Sequence, residues 1–466
     1  MVHPKLGETF MTETIHIYHT NDIHSHFENW PKIRHFLQEK KSGHARDGEE
    51  VFLFDIGDHV DRWHPYTEGT LGKGNIKLLN DLGYTAATIG NNEGITLAHH
   101  DLDELYHDRA FDLILANLYK ENGNQRPAWT IPRKIYQTKH GIKIGVTAVT
   151  AYFEKLYRLL GWQLREPFTE LSDQLAALKE EADIIILLSH LGIQDDEKIA
   201  ELYPEVDLIL GGHTHHVLQH GRRLNQSLLG AGGKHGHYVG YVQLQLDKVK
   251  KKVTEKSAVL FETGNLEPPA SEEKEIQWFQ EQGRALMNHS VATLPESLMT
   301  EWFQESLLPS YLCEALAEWC EADCAFLQSG LVMGNLKKGV VTDYDVHRIL
   351  PHPINPCSFK LSGKDLESVI LQTLNPDWPE WELKGLGFRG EILGVFVYRN
   401  IEINKETSEI NIKGKKLDRT KEYTLATVDM YTFGHFFPEL YRLPKKYHMP
   451  EFLRDVLKWK LRRDYL

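Results

Sequence analysis

Residues that can bind metal ions recur at five places in the first half of the chain, and each place follows a short apolar run. Their side chains are carboxylates, amides and imidazoles, which supply oxygen and nitrogen donors. If the apolar runs are strands of an open α/β sheet, their ends meet at one edge and the donors lie together. The five clusters are D-x-H at Asp22/His24, G-D at Gly57/Asp58, G-N at Gly90/Asn91, His190 in LLSHLG, and G-G-H-T-H at His213/His215.

These clusters supply more donors than one four-coordinate zinc site uses. Two ions can share them if one carboxylate bridges, and Asp58 is the expected bridge because a carboxylate has two oxygens. A mixed oxygen and nitrogen set without thiolates suits Mn, Fe, Zn, Co or Ni better than Ca or Cu(I). Two ions roughly 3.5–4 Å apart lower the pKa of a bridging water and hold a phosphoryl group for in-line attack. The predicted ligands are Asp22, His24, Asp58, Asn91, His190, His213 and His215.

The elements that must position these donors alternate between strands and helices, which predicts an α/β fold. From Gln226 the pattern changes to successive strands joined by short turns, as in an antiparallel sheet that closes a domain. The predicted strands are Thr14–Tyr18, Val51–Ile56, Ala86–Ile89, Leu113–Ala116, Lys143–Val149, Ile184–Leu188 and Asp207–Leu210. The predicted helices between them are Lys32–Lys40, Lys73–Leu82 and Thr169–Glu181.

The domain boundary is predicted near Glu262–Glu272, ETGNLEPPASE, which is rich in Pro, Gly and acidic residues. An amphipathic segment, Glu273–Met287, is expected to form a connecting helix. The second half has a predicted helix at Gln304–Cys320 and a strand at Ala325–Leu327. The chain is therefore divided into a first domain over 12–262, a linker and connecting helix over 263–289, and a second domain over 290–466.

Composition narrows the class of protein. With 466 residues, 41% hydrophobic and 26% charged, the chain is expected to form two or three globular domains. A net charge of −13 argues against a nucleic acid or an anionic membrane as the partner. The four cysteines form no C-x-x-C pair, and no apolar stretch is long enough for a signal peptide or a membrane span. We therefore expect reduced thiols and a cytoplasmic protein.

In order along the chain, D-x-H, G-D, G-N-x-E, a lone His and G-H-x-H resemble the calcineurin-like metallophosphoesterases, and the 5′-nucleotidase branch is the most similar. The segments ILANLY (114–119), GIKIGVTAVT (141–150) and GAGGKHGHYVGYVQLQLD (230–247) extend the resemblance. It implies a four-layer αββα sandwich followed by a smaller α+β domain. It also implies that one ion takes Asp22, His24 and His215, the other takes Asn91, His190 and His213, and Asp58 lies between them.

The chain departs from this family beside the predicted ligand Asn91. Relatives read G-N-H-E-F-D, in which a catalytic His is oriented by an Asp, whereas this chain has Asn92 and Ile95 at those positions. It therefore resembles a bacterial cytoplasmic branch with Asn in place of the catalytic His. Asn92, placed in the catalytic position, can donate a hydrogen bond but cannot transfer a proton at neutral pH. Another imidazole near the ligands can replace the missing one, from among His26, His59, His64 and His216.

The second half resembles the 5′-nucleotidase C-terminal domain more faintly, through QSGLVMGNLKKGVVTDYDVHRILPHPINPCSFKLSGKDLESVI (328–370). Relatives have N-G-G-G-I-R where this chain has Q-S-G-L-V-M, so an Arg that helps to hold the substrate is replaced by Met333. The remaining aromatic and basic side chains give Phe388, Arg389 and Tyr431 as predicted substrate-binding residues, although a Phe in such a position is more often part of the core.

Three functions stay open on the sequence. The first is hydrolysis of the phosphate ester of a nucleotide by a metal-activated hydroxide. The second is hydrolysis of a nucleotide diphosphate, a UDP-sugar or a phosphodiester, because loss of general acid catalysis, typically worth about 10²–10⁴-fold, matters least when the leaving group is a weak base. The third is a metal- and ligand-binding module with little turnover. The expected partner is a small phosphorylated molecule.

Overall fold

The computed structural model describes residues 12–121, 124–404, 406–434 and 436–466. The chain divides into two compact units, one ending at Glu281 and the other starting at Gln282. This division falls inside the segment 263–289 that the sequence predicts as the connection. Among the described residues, no helix is both long enough and apolar enough to cross a membrane.

In the first unit strands and helices alternate as far as β4 and again from β7 to β10, and the unit ends in a run of strands, as the sequence predicts. From β4 to β7 four strands follow one another with no helix among the residues described there, which the sequence did not predict. The strands are β1 (Thr12–Thr20), β2 (Glu50–Asp55), β3 (Ala86–Ala87), β4 (Asp112–Leu113), β5 (Leu118–Lys120), β6 (Arg133–Gln137), β7 (Lys143–Thr150), β8 (Trp162–Leu164), β9 (Ile184–His190), β10 (Leu208–Gly211), β11 (Arg222–Leu224), β12 (Ser227–Ala231), β13 (Tyr238–Asp247) and β14 (Lys252–Glu262). The helices are α1 (Trp30–Asp47), α2 (Pro65–Thr70), α3 (Lys73–Leu82), α4 (Asn91–Thr96), α5 (His99–Leu105), α6 (Glu154–Leu159), α7 (Pro167–Glu181) and α8 (Ile193–Leu202).

Two mixed sheets form the centre of this unit. Their strand orders are β14-β13-β1-β2-β3-β4 and β11-β12-β10-β9-β7-β6. Strands β1 to β4 run parallel, with Ile17 opposite Phe52. On the other side of β1, β13 pairs antiparallel to β1, and β14 pairs antiparallel to β13 at the edge of the sheet. In the second sheet β7, β9, β10 and β12 are parallel. The carboxyl ends of the parallel strands therefore share an edge in each sheet.

The two sheets pack face to face, and helices cover their outer faces. Ile17 and Phe54 of the first sheet lie in one buried cluster with Ile186 and Leu210 of the second. On the outer face of the first sheet, the ring of Tyr18 contacts α1. Helices α7 and α8 pack against the outer face of the second sheet through a separate buried cluster. The layers are helix, sheet, sheet and helix, which confirms the predicted αββα sandwich.

Helix α9 (Glu272–Leu286) begins within the first unit. Its Phe279 is buried against the rings of Phe27 and Tyr66, and the amide of Gln280 donates to Nε2 of His64 over 2.9 Å. The predicted connecting helix is therefore packed where it begins, and the buried hydroxyl of Thr263 anchors the preceding segment to the carbonyl of Gly236.

The second unit is a smaller α+β domain, as predicted. Its main sheet has the order β19-β16-β23-β18-β24, and one large buried cluster fills it. The strands are β15 (Ser290–Leu294), β16 (Cys324–Gln328), β17 (Gly339–Thr342), β18 (Pro356–Ser362), β19 (Phe396–Arg399), β20 (Ile401–Ile403), β21 (Ile410–Ile412), β22 (Lys415–Lys416), β23 (Glu422–Val428) and β24 (Lys445–Tyr447). The helices are α10 (Leu307–Trp319), α11 (Asp343–Ile349), α12 (Gly363–Gln372), α13 (Pro438–Arg442) and α14 (Leu453–Tyr465).

Candidate metal centre

The predicted ligands lie at the carboxyl ends of four strands and at the start of one helix. Asp22 and His24 follow β1, Asp58 follows β2, and Asn91 is the first residue of α4. The other three are His190, which is the last residue of β9, and His213 and His215, which follow β10. The two sheets thus deliver donors from the same edge into one site.

Two groups of three side chains have their donor atoms within 4.8 Å of one another, and they share Asp22. In the group of Asp22, His24 and His215, Oδ1 of Asp22 is 3.7 Å from Nε2 of His24 and 3.4 Å from Nε2 of His215. The second group consists of Asp22, Asp58 and His190.

Asp58 belongs to the second group, where its Oδ2 is 3.4 Å from Nε2 of His190, and the same oxygen also faces the first group, 3.6 Å from Nε2 of His24. Its other oxygen, Oδ1, accepts a hydrogen bond from the backbone N–H of Asn92. Asp58 is the bridge predicted from the sequence because a carboxylate has two oxygens. In the structure Oδ1 accepts from the backbone of Asn92, and Oδ2 faces the predicted ligands His24 and His190.

The donor set fits two divalent ions. The buried atoms Oδ1 of Asn91 and Nε2 of His190 have no hydrogen-bond partner among the described residues. Buried polar atoms are rarely left in this state, because an unsatisfied group costs about 1–3 kcal/mol. His190 is oriented by its other ring nitrogen, Nδ1, which lies 2.7 Å from the carbonyl oxygen of Ile56. A metal ligand typically uses one ring nitrogen in this way and keeps the other for the ion.

His213 is held through its backbone as well as its ring. Its N–H points at both oxygens of Asp22, 3.1 Å from each, and its ring centroid is 5.4 Å from that of His190. Burial and the neighbouring His190 lower the pKa of His213 to about 4, so its imidazole is neutral at pH 7. A neutral imidazole is the form that binds a metal ion.

Five of the seven predicted ligands have a positive φ, a conformation that costs residues other than glycine of the order of 1–3 kcal/mol each. Such strain persists when surrounding contacts over-determine the conformation, and here the N–H of Asp22 donates to the carbonyl of Gly57 and that of His24 to the carbonyl of Asp58. The five φ angles are 51° for Asp22, 49° for His24, 51° for Asp58, 73° for His213 and 58° for His215.

Glu93 fixes the backbone around Asp58 and Gly90, a role that was not predicted from the sequence. Its buried carboxylate accepts hydrogen bonds from the backbone N–H groups of Asp58, Val60 and Gly90, at 3.1, 2.8 and 2.9 Å. Burial, followed by the charge of Asp58, raises the pKa of Glu93 to about 7. The sequence signal was present, since Glu93 is the acidic residue of the G-N-x-E motif.

The carboxylates perturb the imidazoles that face them. Burial alone would lower the pKa of His24, but the carboxylates of Asp22, Asp61 and Asp58 around the ring outweigh it and raise the pKa to about 10. Burial likewise opposes the charge of Asp58, which with Asp22 raises the pKa of His190 to about 9. Without bound ions the site therefore holds protons where the ions would bind.

Asn92 points at the predicted ligand His24. Its side-chain nitrogen is 2.7 Å from Nδ1 of His24 and 3.2 Å from Oδ2 of Asp61. Asp61 also faces His24, with Oδ2 3.1 Å from Nδ1. Asp61 is not among the site residues predicted from the sequence, although it stands three residues after Asp58 in G-D-H-V-D.

The four imidazoles considered as replacements for the missing one are differently placed. His59 is buried with its ring against Trp30, and His64 is engaged at both ring nitrogens. His216 is exposed beside Thr214. His26 is half-buried, its Nδ1 is 2.5 Å from Oε1 of Glu28, and its ring stacks on that of His235. That stack reaches the metal centre, because the centroids of His235 and His24 are 5.8 Å apart.

The predicted substrate-binding residues belong to the second unit. Tyr431 is fully buried and its hydroxyl donates to Oε1 of Gln328, while Phe388 is buried and stacks on His352. Arg389 is half-buried, and its backbone N–H donates to Nδ1 of His352 over 2.9 Å. Contact of these residues with substrate stays a prediction, and the burial of the two aromatic rings favours a packing role for them.

A third group of possible ligands, His16, His44 and Glu49, lies on the outer face of the first sheet. Its two imidazoles are stacked, with ring centroids 3.8 Å apart and planes inclined by 25°. The lone pairs of a ring nitrogen lie in the ring plane, so nearly parallel stacked rings do not aim them at one point. This geometry suits a hydrogen-bonded cluster better than an ion.

Two known protein families match this chain, one in each half. Residues 15–217 match the calcineurin-like phosphoesterase family, and residues 289–436 match the 5′-nucleotidase C-terminal domain. The first match contains all seven predicted ligands.

Individual relatives cover nearly the whole chain. The uncharacterized metallophosphoesterase YunD of Bacillus subtilis is 42% identical over 97% of this chain and 100% of that protein. Protein UshA of Yersinia enterocolitica is 24% identical over 96% of this chain and 90% of that protein. A crystal structure of a candidate 5′-nucleotidase from Staphylococcus aureus in complex with alpha-ketoglutarate has a TM-score of 0.71, at 18% identity over 97% of both chains, which shows a shared fold.

Proposed function

Because the chain belongs to the calcineurin-like metallophosphoesterase family, and is thus a metal-dependent phosphoester hydrolase, we propose that its substrate is a nucleotide or a nucleotide-like phosphate compound. The observation that carries the proposal is the buried set of oxygen and imidazole donors grouped around Oδ2 of Asp58. The match of residues 289–436 to the 5′-nucleotidase C-terminal domain supports a nucleotide as the substrate class.

We assign the ligands as the family pattern suggests, one ion to Asp22, His24 and His215 and the other to Asn91, His190 and His213, with Asp58 shared. Two divalent ions in such a site lower the pKa of a water and stabilise charge on a phosphoryl group. The chain's own contribution is to hold the donors in place, through the bond from His190 to Ile56 and the carboxylate of Glu93. The identity of the ions among Mn, Zn, Fe, Co and Ni is open to measurement.

A second candidate is hydrolysis of a diphosphate, a UDP-sugar or a phosphodiester, and the orientation of Asn92 favours it. At this position the chain has a side chain that cannot transfer a proton, and the structure turns it toward His24 and Asp61. A leaving group that is a weak base needs no such donor, so phosphoanhydrides lose the least from its absence.

Initial rates with Mn²⁺ on AMP, UMP, UDP-glucose, a dinucleoside polyphosphate and p-nitrophenyl phosphate separate these candidates. Efficient cleavage of AMP and UMP supports the nucleotidase function. Slow AMP cleavage with fast cleavage of the diphosphates and of p-nitrophenyl phosphate supports the second function, and Asn92→His should then accelerate AMP more than p-nitrophenyl phosphate. No turnover of any substrate by protein with bound metal would contradict both and favour a binding module.

We also propose a cytoplasmic location. Cys313, Cys320 and Cys324 are buried thiols that form no disulfide bond among the described residues, as is usual in a reducing compartment. The supporting measurement is fractionation of cells that express the full-length protein.

A further inference from the structure

The side chain of Asn92 is enclosed rather than open to a substrate. Its relative exposure is 7%, and both its backbone N–H and its carbonyl form hydrogen bonds to side chains. The N–H donates to Oδ1 of Asp58 over 2.7 Å, and the carbonyl accepts from the hydroxyl of Thr96 over 2.5 Å. With the backbone held in this way, the short side chain reaches His24 and Asp61.

The two ring nitrogens of His24 face different surroundings. Nε2 faces the other donors, 3.6 Å from Oδ2 of Asp58 and 3.4 Å from Nε2 of His215. Nδ1 faces away from them, toward the carboxylate of Asp61 and the amide of Asn92. Nε2 is therefore the nitrogen placed to bind an ion, and Nδ1 is the nitrogen whose contacts set the orientation of the ring.

An ion at Nε2 requires the proton of a neutral imidazole to be on Nδ1. That N–H then needs an acceptor, and Oδ2 of Asp61 lies 3.1 Å from Nδ1. The hydrogen-bond network fixes which end of the Asn92 amide is the nitrogen, because that atom donates to the same Oδ2 of Asp61 over 3.2 Å and an oxygen there would face a carboxylate. Asn92 therefore holds the carboxylate of Asp61 that accepts from Nδ1–H of His24.

The backbone of His24 is held separately from its ring. The residue has a φ of 49°, and it is held by its own N–H, which donates to the carbonyl of Asp58 over 2.8 Å. Its carbonyl accepts from the indole N–H of Trp63 over 2.6 Å. These contacts hold the main chain, and the contacts of Nδ1 hold the rotation of the ring.

We propose that Asn92 is a positioning residue, which together with Asp61 holds the imidazole of His24 in the orientation that binds one of the two ions. It does not contact the substrate. The position that carries a catalytic His in relatives thus supports a metal ligand in this chain. The proposal rests on the proposed function for the presence of the ions, but not for the identity of the substrate.

Isothermal titration of the metal-free protein with Mn²⁺ tests this proposal without any substrate. Asn92→Ala removes the contact and is expected to weaken one of two binding events by about 10- to 100-fold, as is typical for loss of a partner behind a metal ligand. Asn92→Leu keeps approximately the size of the side chain without its N–H donor to Asp61 and should weaken the same binding event. Asn117→Ala is the matched control, because the side chain of buried Asn117 exchanges hydrogen bonds with the backbone of Thr150, and its loss should leave Mn²⁺ affinity unchanged.

Steady-state kinetics on p-nitrophenyl phosphate then separates positioning from contact with substrate. The Mn²⁺ concentration that gives half-maximal activity should rise by about 10- to 100-fold in Asn92→Ala, because a weakened ligand raises the metal requirement. A KM for p-nitrophenyl phosphate that rises at saturating Mn²⁺ would overturn the proposal, since it would place Asn92 in contact with substrate, as would wild-type Mn²⁺ affinity in Asn92→Ala. If Asn92→Ala does not fold, wild-type Mn²⁺ affinity of a folded Asn92→Leu protein would also overturn it. Normal Mn²⁺ binding by a wild-type protein without nucleotidase activity would overturn only the proposed function.

Discussion

The backbone N–H of Asn92 donates a 2.7 Å hydrogen bond to Oδ1 of Asp58 and thereby decides which oxygen of that carboxylate is left to face the predicted ligands. The bond joins the first turn of α4 to the loop after β2. Oδ2 is left 3.6 Å from Nε2 of His24 and 3.4 Å from Nε2 of His190. The paired amides of the chain thus act from one turn, Asn91 through a buried side-chain oxygen and Asn92 through its backbone and its amide.

Gly90 is required where α4 meets Asp58, and Gly90→Ala is expected to abolish two-metal binding. A Cβ on Gly90 would overlap Oδ1 and the backbone nitrogen of Asp58, so the carboxylate would have to leave its position. Titration with Mn²⁺ and the rate on p-nitrophenyl phosphate check this expectation. Gly264→Ala is the control, because a Cβ there meets no atom within 4 Å. Equal activity of the two variants would contradict the packing argument.

Asp58→Asn is expected to reduce the number of tightly bound ions below two. The amide keeps the size of the side chain and can still accept from Asn92, but it removes the charge from the oxygen that faces both groups. Activity should fall by more than about 100-fold, since loss of a ligand costs more than the 10- to 100-fold typical of its outer partners. Metal analysis of the gel-filtered protein gives the stoichiometry. Retention of two ions per chain would show that Asp58 is not shared.

Removal of the Glu93 carboxylate is expected to destabilise the first unit. Glu93→Ala leaves three buried N–H groups without an acceptor, and each costs about 1–3 kcal/mol, so the free energy of unfolding should fall by at least about 3 kcal/mol. Urea denaturation measures the change. Glu267→Ala, at an exposed position, should change the free energy of unfolding by no more than about 0.5 kcal/mol. A similar small effect of Glu93→Ala would mean that water replaces the carboxylate.

Metal affinity is expected to rise with pH between 7 and 9. In the metal-free protein the carboxylates, acting against burial, raise the pKa of His24 to about 10 and that of His190 to about 9. Both imidazoles are therefore protonated at pH 7 and must lose a proton to bind an ion. Each proton released strengthens binding by up to about tenfold per pH unit. Titration calorimetry in buffers of different ionisation enthalpy counts the protons, and an affinity independent of pH would contradict these shifts.

The same raised pKa values fix the sign of a stability effect in the metal-free protein. The protonated imidazoles stabilise the fold fully below pH 6.5, the ordinary value, and the contribution is lost as the pH rises through 9 to 10. Urea unfolding of metal-free protein should therefore become easier between pH 7 and pH 10. His190→Gln, which cannot be protonated, should show a smaller change over that range.

Local sequence patterns determined the elements and the place of the site. The predicted helix Lys73–Leu82 has the bounds of α3, and the predicted strand Lys143–Val149 lies within β7, because hydrophobic periodicity reflects the geometry of one element. The convergence of the ligands was also predictable, since the ends of parallel strands share an edge of a sheet. Ala86–Ile89 was predicted too long, as β3 ends at Ala87 where the chain turns to bring α4 onto Asp58.

Tertiary structure alone decided how the side chains at the site are used. The features that decide this use join residues far apart in the chain. They are the contacts of the Asn92 amide with His24 and Asp61, the different contacts of the two oxygens of Asp58, and the burial of Tyr431. No periodicity encodes such contacts, because they depend on which loops the two sheets place side by side. The sequence by itself determined that oxygen and imidazole donors meet at one edge, and packing determined which of their atoms face one another and which hold their neighbours in place.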